Sequence, residues 1–257
     1  MTWHAAVDYR QGTTHRRTGT PCQDFGGVRI LDSMDAVIGA IADGSGSARL
    51  SHIGAQSATH CALTLLAERA MQVSGPDETL LVDLITDVQH HLVTIADNHG
   101  CNPDDLACTL IAFVAWPSGI AAVQVGDGFL IRGDGGRGFH KVGAGHHGEY
   151  INETLFVTDR DVSEQASIAV ESGSIRFIAA ATDGLQHVSI SSDDGRPHMP
   201  FFRPLNEYVT MTANDDEIHM GIREFLRSEK LSERVDDDVA LLLCGWREEQ
   251  QAGVTLS

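Results

Sequence analysis

Thr109-Leu110-Ile111-Ala112-Phe113-Val114-Ala115-Trp116-Pro117-Ser118-Gly119-Ile120-Ala121-Ala122-Val123-Gln124-Val125-Gly126-Asp127-Gly128 is the stretch that decides how this chain folds. No charged residue occurs between Leu106 and Gly126, and a run of that length suffices to cross a membrane. Pro117-Ser118-Gly119 interrupts it, however, and both flanks are rich in Ile, Val and Ala. That pattern predicts two buried strands joined by a turn, a hairpin at the centre of the core, and no membrane span.

The same kind of apolar run recurs on either side. Phe25 to Leu31 and Ala36 to Ala42 read as strands about a turn at Asp32-Ser33. Ile175 to Thr182 reads as a further buried strand, and Val239 to Cys244 as the last one. Short strands are predicted through Phe129-Leu130-Ile131 and Phe139. At the amino terminus Trp3, Ala5, Val7 and Tyr9 alternate, as in a half-buried strand, and a polar loop runs from Arg10 to Gln23. Helical spacing links Ala55, Ala58, Ala62, Leu65 and Leu66, and again Leu81, Leu84, Ile85, Val88, Leu92 and Ile95, with Asn98 to Gly100 as the stop. Ile218, Ile222, Phe225 and Leu226 mark a late helix. Segregated runs of strands and helices predict an α+β layered domain and argue against a parallel βαβ sheet. Residues 1–247 are expected to form a single domain, with 248–257 as a loose tail.

Charge and cysteine content narrow the function. Thirty-six acidic against eighteen basic residues give a formal charge of −18, which disfavours nucleic acid as a partner and suits a cation binder. The five cysteines (Cys22, Cys61, Cys101, Cys108 and Cys244) contain no CxxC pair, so neither a disulfide framework nor a thiolate zinc site is expected. The first ten residues lack the basic and apolar regions of a signal peptide, and a reducing cytoplasm fits best.

Several predicted strands run directly into an aspartate. Ile38 to Ala42 leads to Asp43-Gly44, Ala121 to Val125 to Gly126-Asp127-Gly128, and Ile178 to Thr182 to Asp183-Gly184. Asp24 precedes the second strand, and Asp236-Asp237-Asp238 precede the last. A single Asp-Gly after a strand is an ordinary turn signal. A set of them at adjacent strand mouths would repel strongly without cations between them. All-oxygen donors select Mg²⁺ or Mn²⁺ over zinc, and a following glycine allows a sharp backbone turn and offers its carbonyl as a ligand.

The order of these motifs resembles the type-2C family of metal-dependent protein phosphatases. Gly12-Thr13-Thr14-His15 with Cys22-Gln23-Asp24 is similar to the family's first motif, which ends in Asn-(Glu/Gln)-Asp. Ile41-Ala42-Asp43-Gly44-Ser45-Gly46 resembles Val-Ala-Asp-Gly-Met-Gly. Ala107-Cys108-Thr109-Leu110 with Val125-Gly126-Asp127-Gly128 resembles Gly-Thr-Thr followed by Val-Gly-Asp-Ser. Ala181-Thr182-Asp183-Gly184-Leu185 resembles Ser-Asp-Gly-Leu, and Asp237-Asp238-Val239-Ala240 the closing Asp-Asn-x-Thr.

This resemblance implies a four-layer α-β-β-α sandwich with two central antiparallel sheets. It also implies hydrolysis of phosphoserine or phosphothreonine on proteins, using two or three Mn²⁺ or Mg²⁺ ions. Asp43 is then expected to bridge two ions with help from the Gly44 carbonyl, while Asp183 and Asp237 hold one of them. Asp24 is expected to act nearby through water, and Asp127 to serve a third, weaker ion. A water acidified between two cations attacks phosphorus in such a mechanism, and His15 is the candidate general acid. A phosphoprotein, and a serine/threonine kinase or its target, are the implied partners.

The chain departs from the family pattern in places that bear on substrate recognition. Gly19 stands where many members carry a phosphate-clamping arginine, leaving Arg16, Arg17 and Arg49 as candidates. Ser47 and Ala48 follow the second motif where relatives often have histidine, Phe129 replaces an arginine, and Ala240 replaces the final threonine. His90-His91 and His146-His147 are adjacent pairs that do not face one metal, and His147-Gly148-Glu149-Tyr150 is a candidate flap. A partner-binding pseudophosphatase and a small-molecule phosphatase are the alternative readings.

Overall fold

The computed structural model describes residues 1–136, 138–143, 154–212 and 214–247. The candidate flap, the pair His146-His147 and the tail at 248–257 therefore lie outside the described residues. In chain order the first half comprises β1 (Thr2–Arg10), α1 (Thr13–Thr18), β2 (Asp24–Leu31), β3 (Ala36–Asp43), α2 (Ser51–Ala70), α3 (Leu84–His99), β4 (Leu110–Trp116) and β5 (Gly119–Val125). The second half comprises β6 (Phe129–Gly133), β7 (Phe139–Lys141), α4 (Val162–Gln165), β8 (Ser167–Ser172) and β9 (Phe177–Ala181). It ends with α5 (Gln186–Ser189), α6 (Met199–Met211), α7 (Asp215–Leu226), α8 (Glu229–Ser232) and β10 (Val239–Arg247).

The strands form two five-stranded sheets, in the orders β1-β10-β9-β6-β7 and β2-β3-β4-β5-β8. Neighbours in both sheets are antiparallel. The decisive hairpin pairs Leu110 with Val125 and Trp116 with Gly119, and every residue of β4 is buried. Alternation explains why: Ala112 and Val114 face α2 and α3, while Ile111 and Phe113 face the opposite sheet. Leu242 and Ile178 meet Phe113 and Ile41 in the layer between the sheets. The outer face of the first sheet is covered by α6 and α7 through Phe202, Ile218 and Ile222. The result is the α-β-β-α layering of an α+β sandwich. Among the described residues no helix is long and apolar enough to cross a membrane.

Local departures from the sequence reading have physical causes. β1 is covered on both faces, because Trp3 and Ala5 enter the inter-sheet layer while Ala6 meets the outer helices. Tyr9, at its end, stays 38 % exposed and rests on Phe25 with ring centroids 5.2 Å apart. The stretch from Arg10 to Gln23 is not wholly loop, since Thr13–Thr18 forms a short helix ended by Gly19. The edge strand β8 escapes a sequence reading because its alternation is inverted: Ile168 and Val170 are the exposed residues.

Candidate metal centre

One end of the double sheet gathers the strand-end aspartates. Asp24 and Asp43 are direct partners in the β2–β3 ladder. Reciprocal bonds tie Asp43 to Thr109: its N–H reaches Thr109 Oγ1 at 2.9 Å, and its carbonyl accepts the Thr109 N–H at 2.7 Å. Asp127 sits in the turn from β5 to β6, where Gly126 has φ +91°, a conformation that favours glycine. Gln124 Nε2 locks that turn by donating to the Gly126 and Gly128 carbonyls at 3.0 and 2.6 Å. Asp183 begins a 3₁₀ turn two residues after the end of β9, and Asp237 lies two residues before the start of β10.

These positions surround a cavity of about 270 Å³. Asp43, Gly44, Asp127, Asp183, Asp237 and His15 all line it. Asp24 does not; it lies beneath, 3 % exposed, and accepts from Thr182 Oγ1 at 2.6 Å. Thr182 Oγ1 in turn accepts the Ala240 N–H at 2.9 Å, which links β9, β10 and Asp24 under the floor. None of Arg16, Arg17 and Arg49 lines the cavity, and Arg49 instead contacts Asp105 at 3.5 Å. Among the described residues no lysine or arginine lines it at all.

Electrostatics follow from that crowding. Burial, and then the charge of Asp43, push the Asp24 carboxyl well above its ordinary value. Burial, then Asp183, push Asp43 up to about 8. Asp183 is raised by burial and by the charges of Asp127 and Asp237. The Asp43 carboxyl interacts with those of both Asp24 and Asp183. Carboxylates so placed hold protons between them unless cations take the protons' place. An all-oxygen wall with the Gly44 carbonyl beside it suits Mn²⁺ or Mg²⁺, so the residues fit the ions that the motif order implies.

The sequence reading missed Asp238. Its carboxylate is 4 % exposed and accepts the backbone N–H of Gly12 on Oδ1 and of Gln23 on Oδ2, each at 2.6 Å. His15 Nδ1 lies 2.9 Å from the same Oδ2. A ligand atom from each of His15, Asp237 and Asp238 falls within 4.8 Å of the others. The aspartate triplet was the available signal, yet nothing in it tells which carboxylate turns inward. Thr109 and Thr182 were equally hidden, since only long-range pairing brings their hydroxyls to the floor.

Comparison with known proteins agrees with this geometry. Residues 11–227 match the family model described as Protein phosphatase 2C. The chain is 29 % identical over 254 residues to serine/threonine-protein phosphatase 3 of Escherichia coli K12, covering 96 % of this chain and 100 % of that protein. The serine/threonine phosphatase Stp1 from Staphylococcus aureus superposes with a TM-score of 0.63 at 13 % identity, covering 96 % of each chain. The catalytic domain of the serine/threonine protein phosphatase PstP, solved in complex with 2 manganese ions, gives 0.60 at 17 % identity, covering 96 % of this chain and 99 % of that one. With its two packed sheets and its acidic cavity, the chain belongs to the protein phosphatase 2C family.

Proposed function

We propose that this phosphatase hydrolyses phosphoserine and phosphothreonine on proteins, using two Mn²⁺ or Mg²⁺ ions held at the acidic cavity. The observation that carries this reading is the convergence of Asp43, Asp127, Asp183 and Asp237 on one cavity without a lining lysine or arginine among the described residues. When bound, the cations supply positive charge that neutralises phosphate oxygens and acidifies a water at neutral pH.

The protein's own part divides among its residues. Asp43 would be the ligand shared by two ions, with the Gly44 carbonyl beside it; Asp183 and Asp237 would hold one of them, and Asp127 would serve a third, weaker ion. Asp24 backs Asp43 from the floor, held by Thr182. His15, on the cavity wall, donates a proton to the serine or threonine oxygen as the P–O bond breaks. The mechanism needs no covalent phosphoenzyme. Residues 1–247 act as one catalytic domain in the cytoplasm, and the phosphoprotein is a serine/threonine kinase or a kinase target.

Phosphate release from a phosphothreonine peptide and from p-nitrophenyl phosphate, each with Mn²⁺, tests the reading. Turnover of both is expected. Turnover of small phosphates alone would replace the protein substrate by a metabolite, and turnover of neither would leave a binding module.

A further inference from the structure

We infer that Asp238 is a positioning residue that sets His15 on the cavity wall as the proton donor. The inference rests on the role proposed for His15 above. Three observations carry it. Gly12 packs so closely on the loop before β10 that a Cβ there would meet the Asp236 carbonyl oxygen at 2.5 Å. The Gly12 and Gln23 N–H groups both end on Asp238, so one carboxylate closes both ends of the segment that carries His15. His15 Nδ1 is buried against Asp238 Oδ2, while the ring, 21 % exposed, lines the cavity.

An amide could not do this. Asparagine offers one acceptor oxygen and an NH₂ group, so one of the two backbone donors would face another donor. The Nδ1 contact is an ion-pair contact at 2.9 Å without full hydrogen-bond alignment, and such contacts tighten in the substrate complex. In the proposed step, water adds to phosphorus, the bond from phosphorus to the serine oxygen breaks, and the His15 proton passes to that oxygen.

The test compares leaving groups. Turnover of p-nitrophenyl phosphate, phenyl phosphate and a phosphothreonine peptide is measured at saturating Mn²⁺ for the parent, H15Q, D238N and the double variant. A proton donor matters little for nitrophenolate, which leaves readily as an anion, and much for phenolate or an alkoxide. H15Q is expected to slow phenyl phosphate and the peptide by about 10²-fold and p-nitrophenyl phosphate far less. D238N is expected to show the same selective loss, with the double variant no slower than H15Q. Ratios between substrates within one sample do not depend on how much of it is folded. Equal loss on all three substrates in D238N, with a selective loss in H15Q, would overturn the role of Asp238 alone. No selectivity in H15Q would remove the role of His15 itself. Nitrogen-15 NMR of the parent's imidazoles, with His15 assigned by its absence in H15Q, needs no aspartate variant. A proton on Nδ1 facing Asp238 is expected, and a bare Nδ1 would overturn the proposal.

Discussion

Asp24 and Asp43 are cross-strand partners in the β2–β3 ladder, and the charge of Asp43 helps to push the buried Asp24 carboxyl above its ordinary value. Directly opposed residues of an antiparallel pair project on one face, so the register alone brings two carboxyl groups together at the end of the sheet. Like charges at such positions are destabilising. The pairing therefore makes sense as a place for cations, and its consequences can be measured.

Replacing Asp43 by Asn removes one of the crowded charges without changing shape. The metal-free protein is expected to melt at the parent temperature or above it, while phosphatase activity disappears. Mn²⁺ at a hundred times its Kd should stabilise the parent by about 2.7 kcal/mol per site, and the variant by clearly less. Thermal melts with and without Mn²⁺ decide this. A variant with substantial turnover would mean that Asp43 only shapes a turn.

Stability of the metal-free protein should depend on pH in a direction fixed by the same crowding. Asp43 is raised from 3.8 to about 8, and Asp24 and Asp183 are raised as well. Between about pH 4 and 8 the folded state thus binds more protons than the unfolded chain, so this contribution lowers stability as pH rises. Melting temperatures in EDTA are expected to fall across that window, and saturating Mn²⁺ to remove the fall. A metal-free stability that climbs towards pH 8 would speak against the carboxyl cluster.

Asp127 is exposed, in a turn whose carbonyls are pinned by Gln124. Asp127→Asn is expected to slow catalysis by roughly 10- to 100-fold and to leave the two tighter ions bound. Isothermal calorimetry with Mn²⁺ checks this, and loss of both tight sites would place Asp127 among the principal ligands.

Thr182 is the hinge under the floor, donating to Asp24 and accepting from Ala240. Thr182→Val keeps the shape and leaves the Ala240 N–H and Asp24 without their partner. A loss of about 1–3 kcal/mol is expected, read by urea denaturation in EDTA. An unchanged midpoint would show that water replaces the hydroxyl without cost.

Much of this arrangement was legible beforehand because strand periodicity and strand-end aspartates are local signals. The uncharged run around Pro117-Ser118-Gly119 could pack in few ways, and it is the central hairpin. The aspartates after β3, β5 and β9 line one cavity because antiparallel order returns those strand ends to the same edge. What was hidden depends on tertiary contact. The helix Thr13–Thr18 has a polar sequence and buries no residue, so no apolar stripe announces it. Asp238 looks like its two neighbours, and only the approach of Gly12 and Gln23 turns it inward. Asp24 does not itself line the cavity; it is buried beside its strand partner Asp43, where the Thr182 hydroxyl holds it, a contact that no local pattern announces.

Phosphate release from a phosphothreonine peptide by metal-stripped protein, followed as Mn²⁺ is added back, bears most directly on the acidic cavity as a two-cation phosphatase site. No release is expected in EDTA, with activity rising as Mn²⁺ fills the sites and no recovery in Asp43→Asn. Full turnover in the metal-stripped protein would contradict that assignment.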